Sequence, residues 1–377
     1  LMVEASRTFE QDESENLAPE YILDLAADVF DAARIRRSFE AVEADLESNN
    51  LSAARQHLSE LRLVELGIGS MIEPTEELEP WRQAWEKEER RSLIPYPGGL
   101  GVFIGDRFGR ECLVSFMGPD KTRKSWALLD AAYRGLRNRL RVAYFDAGDM
   151  GQDETLLRLG RRATRKPLWP CKVKWPTGWT NEGRVADREA LYEDREFDVG
   201  LTPSEAFRGL RKSCRTTKAL RLSCHSNSTL STDGVTSILR GWEREGWVPD
   251  VVVIDYADIL APPKGVADPL VQIDETWKAL RRMSQDFHCL VLTASQSNAA
   301  AYGEKQSILG RKHFSGRKTK LAHVNGMIGL NSTEKESVHD IQRWNWVVQR
   351  KGKYRESRCC TVVGCLDCGC PSIISKF

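Results

Sequence analysis

A possible phosphate-binding site lies where an apolar run meets the start of an expected helix. The run Cys112–Met117 leads into Gly118, and Lys124 and Ser125 follow at the point where the helix should begin. A phosphate-binding loop has Gly, four free residues, a second Gly, Lys, and Ser or Thr, so Arg123 replaces the second glycine here. Backbone N–H groups at a helix N-terminus hold phosphate oxygens, while the lysine adds charge and the hydroxyl binds Mg²⁺. The stretch therefore predicts a site for ATP with Mg²⁺.

Arg123 leaves several outcomes open for this loop. Its Cβ can hinder the approach of the backbone to phosphate, and a left-handed conformation would cost about 1–2 kcal/mol. Its guanidinium could instead contact phosphate directly. A second register, using Lys121 and Thr122, places Ser115 and Asp120 at the glycine positions and fits less well. The sequence is compatible with a weakened, an altered or an inactive site.

Three polar residues follow apolar runs further along the chain, namely Asp149, Asp255 and Gln296. The carboxyl ends of parallel strands line a common ligand crevice. In that crevice Asp255 would bind Mg²⁺ through water, Asp149 would be the general base for an attacking water, and Gln296 would sense the γ-phosphate. The alternative for each residue is that it caps a strand or the next helix. Their order behind a phosphate loop favours the catalytic interpretation.

The elements that would position these residues read as an α/β domain. Val251–Tyr256 is a β-branched run, which is typical of a strand buried on both faces of a parallel sheet. Further strands are predicted at Arg141–Asp146, Cys289–Gln296 and Trp344–Arg350, with helical patterns between them. Such alternation predicts a mainly parallel sheet flanked by helices, with a small helical region before it.

The composition shifts divide the chain into successive regions. Residues 1–18 are predicted to be a disordered, acidic lead-in, and 19–70 a helical hairpin. Residues 71–94 read as a linker with a short helix, followed by the main domain at 95–377. Within that domain, 167–217 has a weak pattern with three tryptophans and is predicted to be an insertion.

The overall composition limits the function classes. The 377 residues include 55 basic and 54 acidic ones, giving a formal charge of +1, so contact with nucleic acid must be local. Neither a membrane span nor a secretory signal is recognisable, and a cytoplasmic location is expected.

Ten cysteines allow two interpretations. Cys365-x-x-Cys368-x-Cys370 could be part of a zinc site, or Cys359–Cys365 could belong to a closing strand with cysteines as small hydrophobic side chains. Cys171, Cys214, Cys224 and His225 form a second, looser set. Neither set has the paired spacing of a known zinc module.

The order of these segments resembles the RecA-like motor domain of DnaB-type replicative helicases, and more closely the related ATPases of phages and mobile elements. The resemblance covers roughly residues 95–377. It is carried by Gly118–Ser125, Asp149, Val252–Asp258, Ser295–Gln296 and Val348–Gly352.

The sequence departs from the family at three positions. The family usually has glutamate where Asp149 stands, and a lysine where Val348 stands. The third departure is Arg123. Arg350 matches the family's arginine that acts across a subunit boundary.

The resemblance implies a homo-oligomeric ring, in the family a hexamer, that hydrolyses ATP between subunits and surrounds single-stranded DNA during replication. It also implies DNA-contacting loops at 261–269 and 299–321, and possible replication partner proteins. The second loop is rich in basic residues, as tracking of a DNA backbone requires. The candidate DNA-binding residues are Lys305, Arg311, Lys312, Arg317, Lys318 and Lys320.

Two other functions compete with a helicase-type motor. The first is a nucleotide-binding scaffold or helicase partner that hydrolyses ATP weakly or not at all, which Arg123 and Val348 favour. The second is a recombination ATPase of the RecA type, for which the short helical N-terminal region gives no support. The retained Lys124, Ser125, Asp255 and Gln296 favour the motor.

Overall fold

The computed structural model describes most of the chain. The described residues are 19–48, 50–51, 53–54, 57, 72, 74–89, 92–180, 189–214, 218–263, 265–298, 308–313 and 320–377. Two compact units are present, and the division falls between Glu88 and Glu89.

The N-terminal unit contains the described helix α1 (Pro19–Glu47) and all but the last residue of α2 (Glu79–Glu89). In α2 the indole of Trp81 donates a hydrogen bond to the carbonyl of Pro74, 2.8 Å away, which anchors the first turn. The predicted lead-in at 1–18 lies outside the described residues. The second helix of the predicted hairpin lies largely outside them, so the hairpin stays a prediction.

A nine-stranded sheet organises the second unit, in the order β11-β10-β9-β8-β1-β7-β6-β2-β5. The six strands from β8 to β5 in that order run parallel, while β9, β10 and β11 extend the sheet as an antiparallel edge. The strands of the sheet are β1 (Cys112–Gly118), β2 (Val142–Asp146), β5 (Leu220–Cys224), β6 (Val251–Asp255), β7 (Leu290–Gln296), β8 (Gly326–Asn331), β9 (Ile341–Gln349), β10 (Cys359–Cys365) and β11 (Cys370–Lys376). The predicted mainly parallel α/β sheet is confirmed.

Helices cover the sheet, and the described ones are α3 (Gly98–Ile104), α4 (Lys124–Arg137), α5 (Gln152–Thr164), α6 (Pro203–Ser213), α7 (Thr232–Arg244), α8 (Pro269–Asp286), α9 (Lys320–His323) and α10 (Glu334–Val338). Alternate residues of β1 enter different hydrophobic clusters. Val114 packs in the cluster that contains Leu128 of α4, and Leu113 in the one that contains Trp277 of α8. Both faces of the sheet are therefore buried, which explains its continuous apolar strands.

The region predicted as an insertion contains a two-stranded antiparallel sheet, β3 (Cys171–Trp179) and β4 (Ala190–Phe197), followed by α6. A capping box between Thr202 and Glu205 begins α6. Trp175 is buried beside the C-terminal cysteines, whereas Trp169 is 73% exposed. Trp175 therefore packs in a small core, and Trp169 does not.

All ten cysteines are free thiols. Within the described ranges, no group of three or more His, Cys, Asp or Glu residues is arranged to hold a metal ion. Among the same residues, no helix has the length and apolar character needed to cross a membrane.

Candidate nucleotide-binding site

The loop between β1 and α4 has the form of a phosphate-binding loop. Gly118 ends β1, and a Cβ at this position would lie 2.3 Å from the hydroxyl oxygen of Thr122, so a larger residue does not fit. The Thr122 hydroxyl in turn donates to the carbonyl of Pro119 at 2.6 Å, which closes the turn. Lys124 is the first residue of α4. The loop thus ends at the amino terminus of a 14-residue helix, where N–H groups and the helix dipole favour anions.

Lys124 points into the loop. Its Nζ donates to the carbonyl oxygens of Gly118 and Pro119, at 3.0 and 2.9 Å. The residue is 7% exposed, and burial lowers its pKa while surrounding carboxylates, first among them Asp120, raise it. A positive charge is therefore held at the centre of the loop by weak neutral acceptors that phosphate oxygens could replace.

Ser125 joins the two predicted carboxylates. Its hydroxyl oxygen lies 3.1 Å from Asp255 Oδ1 and 3.3 Å from Asp149 Oδ2, and it can donate to one of them at a time. Residues from α4, the end of β6 and the loop after β2 thus meet at one point. The sequence predicted these three residues for one site, and the structure brings them together.

Asp255 is fully buried, and its Oδ2 accepts a hydrogen bond from the Tyr144 hydroxyl at 2.9 Å. Burial raises the pKa of Asp255 to about 7, and the nearby Asp149 adds to that effect, while the hydrogen bonds from Tyr144 and Ser125 oppose it. A neighbouring cation would stabilise the charged form of such a buried carboxylate. Tyr144 was not recognised from the sequence, since its partner depends on the pairing of β2 with β6.

The loop that carries Asp149 is shaped by Asp146, the last residue of β2. The Asp146 carboxylate accepts backbone N–H bonds from Gly148, Asp149 and Gly151 at 3.0, 3.1 and 2.6 Å. Gly148 has a φ of +102°, and a Cβ there would lie 2.2 Å from the backbone nitrogen of Asn227. Asp149 itself is exposed on this ordered loop. An aspartate at a strand end followed by Gly, Asp and Gly was the available signal for this arrangement.

Gln296 ends β7, directly beside Gly118 in the parallel register. Its side-chain amide donates to Asp120 Oδ1 at 2.7 Å and to the Tyr256 hydroxyl at 2.9 Å. The amide therefore contacts the phosphate loop through Asp120. Asp120 and Tyr256 are site residues that the sequence did not indicate.

Arg123 has a left-handed backbone, with φ 69° and ψ 26°. Its guanidinium pairs with Asp340 at 2.9 Å and donates to the carbonyl of Ser337 at 2.6 Å. Both partners belong to the connection between β8 and β9. The side chain thus connects the loop to the β8–β9 connection. Its direct contact with phosphate, which the sequence had allowed, stays a prediction.

Arg350 lies away from this cluster. It follows β9, whose last residue Gln349 pairs with Gly326 at the beginning of β8, and Gly326 lies level with Val114 in β1. The exposed Arg350 is thus at the amino edge of the parallel strands, whereas the phosphate loop is at their carboxyl edge. Val348, where the family has lysine, is partly buried on β9.

The candidate DNA-binding residues are only partly described. Lys305, Arg317 and Lys318 lie outside the described residues, as does the side chain of Lys312. Arg311 is exposed and contacts Glu356 and Tyr354 at 3.3 and 2.5 Å.

Lys320 was expected to be an exposed DNA contact, but the structure buries it. It is 3% exposed, and its Nζ pairs with Asp258 at 2.8 Å. An ammonium that is buried and paired in this way does not face a DNA strand, so Lys320 leaves the set.

Comparison with known proteins gives a fold and no sequence relative. No protein-family model matches the chain, and no curated protein matches it. One similar solved structure is an ATPase domain that is 15% identical, with 81% of this chain and 100% of that chain covered and a TM-score of 0.60. A DnaB-like replicative helicase, solved in a study of its interactions with primase, is 15% identical, with 93% and 77% covered and a TM-score of 0.59.

The chain has the fold of the RecA-like ATPase domains, a mainly parallel sheet flanked by helices. More narrowly, the fold is that of the ATPase domain of DnaB-type helicases, which confirms the resemblance at the level of fold.

Proposed function

We propose that the chain is an ATP-dependent motor of the DnaB/RecA-like type, which hydrolyses ATP at subunit interfaces and acts on single-stranded DNA during replication. The observation that carries the proposal is the meeting of Ser125 with Asp255 and Asp149 beside the buried Lys124. Structural similarity to helicase ATPase domains supports it further.

The residues at the loop fit ATP with Mg²⁺. Ser125 and Asp255 supply hard oxygen donors, which Mg²⁺ prefers together with phosphate oxygens and water. When bound, Mg²⁺ neutralises charge on the phosphates. Lys124 would exchange its two carbonyl acceptors for phosphate oxygens, and Gln296 would contact the γ-phosphate.

Asp149 would act as the general base. It accepts a proton from the attacking water as the water oxygen bonds to the γ-phosphorus and the bond to the leaving phosphate oxygen breaks. Its exposure suits contact with a water molecule, and the N–H bonds to Asp146 hold its loop in place. The Asp149 side chain is one carbon shorter than the family's glutamate, so the attacking water must lie closer to its backbone.

Arg350 would supply charge to a neighbouring subunit. Its position at the opposite edge of the sheet from its own phosphate loop supports action in another copy of the chain. We therefore include a homo-oligomeric ring, by resemblance a hexamer of the phage or mobile-element branch, with replication proteins as possible partners. The DNA contacts fall to the basic segment 299–321 without Lys320.

The second candidate function is a nucleotide-binding scaffold or helicase partner with little or no hydrolysis. Arg123 favours it, because a loop tied through Asp340 to the β8–β9 connection is less free to close around phosphate. Val348 in place of lysine also favours it.

ATP turnover, measured with and without single-stranded DNA, distinguishes the two functions. A motor should hydrolyse ATP and be stimulated by DNA, whereas a scaffold should bind Mg–ATP with no DNA-dependent turnover.

Lys124→Ala should abolish nucleotide binding, because it removes the side-chain charge at the centre of the loop. Lys121→Ala is the matched control, since this lysine is exposed and three positions away. Binding measured by calorimetry should survive the control. Unchanged affinity in Lys124→Ala would place the site elsewhere, and loss in Lys121→Ala alone would favour the other register.

A further inference from the structure

Asp258 connects two parts of the site that the sequence did not relate. It lies in the short 3₁₀ turn Ala257–Ile259 after β6. Its Oδ2 accepts hydrogen bonds from the Ser295 hydroxyl and the Gln296 backbone N–H, at 2.9 and 2.8 Å. Its Oδ1 pairs with Lys320 at 2.8 Å. One carboxylate thus holds the end of β7 and the start of α9 together.

The Asp258–Lys320 pair is largely removed from water, with the two side chains 19% and 4% exposed. Lys320 also lies over the ring of the buried Trp277, 5.5 Å from its centroid. Ion pairs in such surroundings are screened little by salt and hold a defined geometry. A displacement of Gln296 would therefore shift Asp258 and, through the buried ion pair, Lys320. An exposed ion pair would transmit such a shift less directly.

The other end of the same segment contacts Arg350. The carbonyl of Ala322 in α9 accepts a hydrogen bond from the Arg350 guanidinium. The backbone N–H of Arg350 donates to the carbonyl of Asn325 at 2.9 Å. His323 is fixed to Asp274 of α8 at 2.9 Å. Residues 320–325 therefore connect the carboxyl edge of the sheet, where Gln296 lies, with the amino edge, where Arg350 lies.

We propose that Asp258 and Lys320 are positioning residues that couple the placement of Arg350 to the state of Gln296 in the same subunit. Gln296 contacts Asp120 of the phosphate loop, so occupation of that loop by a γ-phosphate changes its contacts. The change passes through Asp258 and Lys320 to α9, and from Ala322 to Arg350. Each subunit thereby presents its arginine to the neighbour according to its own nucleotide. This inference rests on the proposed function, which assigns Arg350 to the neighbouring site.

Hydrogen exchange tests the coupling without requiring hydrolysis. In the wild type, a non-hydrolysable ATP analogue with Mg²⁺ should slow amide exchange at 118–125 and alter it at 320–325 and 350–352. In Lys320→Met the first effect should remain and the others should disappear. Lys320→Arg, which keeps the charge, should retain all of them.

The outcomes separate this inference from the proposed function. Absence of any effect at 118–125 in the wild type would overturn the nucleotide site and the coupling together. A normal effect there, with no effect at 320–325, or with one that Lys320→Met leaves intact, would overturn the coupling alone. If Lys320→Met does not fold, Asp258→Asn replaces it, because the amide oxygen still accepts from Gln296 while the ion pair is lost.

Mixing experiments test the direction of the coupling. Lys320→Met should lower kcat with little change in KM, since its own phosphate contacts remain. Mixing it with Asp149→Asn subunits, which lack the base but keep nucleotide binding and an intact Arg350, should restore turnover as far as the mixture of Arg350→Ala with Asp149→Asn does. Lys212→Met, an exposed lysine on α6, is the control and should match the wild type. Lack of rescue would mean that Lys320 supports only its own site, and would overturn the proposal.

Discussion

At the scale of single residues, three positions depart from the family pattern, and the structure explains Arg123 most directly. The left-handed backbone that glycine provides in related loops is adopted here by an arginine. The cost of that conformation is about 1–2 kcal/mol, and the contacts of its guanidinium with Asp340 and Ser337 offset it. Arg123 thus lacks the backbone freedom of glycine, and its side chain instead anchors the loop.

Arg123→Gly should leave the affinity for Mg–ATP unchanged or increase it. Glycine adopts the same φ without strain and brings no side chain near the phosphates. Calorimetric titration measures the change, with Asp340→Asn as the control that removes the same ion pair but keeps the arginine. A clear loss of affinity in Arg123→Gly with none in Asp340→Asn would show that the guanidinium is a phosphate ligand.

Asp149→Asn should lower ATP turnover by about 10²–10⁴-fold while nucleotide binding persists, because the amide cannot accept the proton. Single-turnover kinetics, together with calorimetry, measures the two effects separately. Asp153→Asn, a neighbouring carboxylate in the first turn of α5, provides the control. Equal turnover in the two variants would remove Asp149 from the chemistry.

At the scale of secondary structure, a buried ionic cluster fixes α4 against the rest of the domain. Asp130 of α4 is 1% exposed and pairs with Arg134 at 2.8 Å and with Arg162 of α5 at 2.6 Å. Ser372 of β11 donates to the same carboxylate at 2.6 Å. The helix that begins at the phosphate loop is thereby attached to two other elements.

Asp130→Asn should reduce the free energy of unfolding at pH 7 by about 3–5 kcal/mol, because two arginines lose their carboxylate. Burial acts to raise the pKa of Asp130, but Arg134 and Arg162 outweigh it and lower the pKa to about 2. A lowered carboxyl pKa stabilises the fold above the unfolded-state value near 4, and that stabilisation is lost as the pH falls through about 2.

Urea unfolding at pH 7 and at pH 3 measures this dependence. The difference between wild type and Asp130→Asn should be smaller at the lower pH. Glu193→Gln, which breaks an exposed pair with Arg195, should have little effect at either pH. An equally small effect of Asp130→Asn at pH 7 would contradict the anchoring role.

The sheet and the loop could be predicted from the sequence because their signals are local. The strand β6 is a run of β-branched residues, and Gly118, Lys124 and Ser125 lie within one short stretch. The strands β3 and β4 gave a weaker signal, since the alternation of β3 covers only Cys171–Trp175 before a proline and β4 is mostly charged.

The partners of the site residues could not be predicted in the same way. Tyr144 reaches Asp255 only because β2 and β6 pair in a particular register. Asp258 and Lys320 are far apart in the chain, and a basic residue in a basic segment reads as exposed until its partner is known. Contacts of this kind depend on tertiary packing, which local patterns do not contain.

At the scale of the whole molecule, the phosphate loop and Arg350 lie at opposite edges of one sheet. On the proposed function, a complete site would combine the carboxyl edge of one subunit with the arginine of another. Such contacts join different surfaces of identical chains, and a ring is their closed form.

Arg350→Ala should lower turnover by about 10³-fold or more while each subunit still binds nucleotide. Mixing Arg350→Ala with Lys124→Ala should restore part of the activity, because each variant supplies what the other's interface lacks. Steady-state turnover across several mixing ratios measures the rescue. Turnover that stays at the level of the separate variants at every ratio would contradict a shared site.

The separation of the two edges also affects how ATP consumption depends on protein concentration. On the proposed function, a solitary subunit holds its nucleotide beside Lys124 but lacks the arginine that completes the site. Dilution would then suppress ATP consumption more steeply than it lowers the protein concentration. Newly synthesised subunits would therefore hydrolyse little ATP before they assemble, and assembly itself would activate hydrolysis.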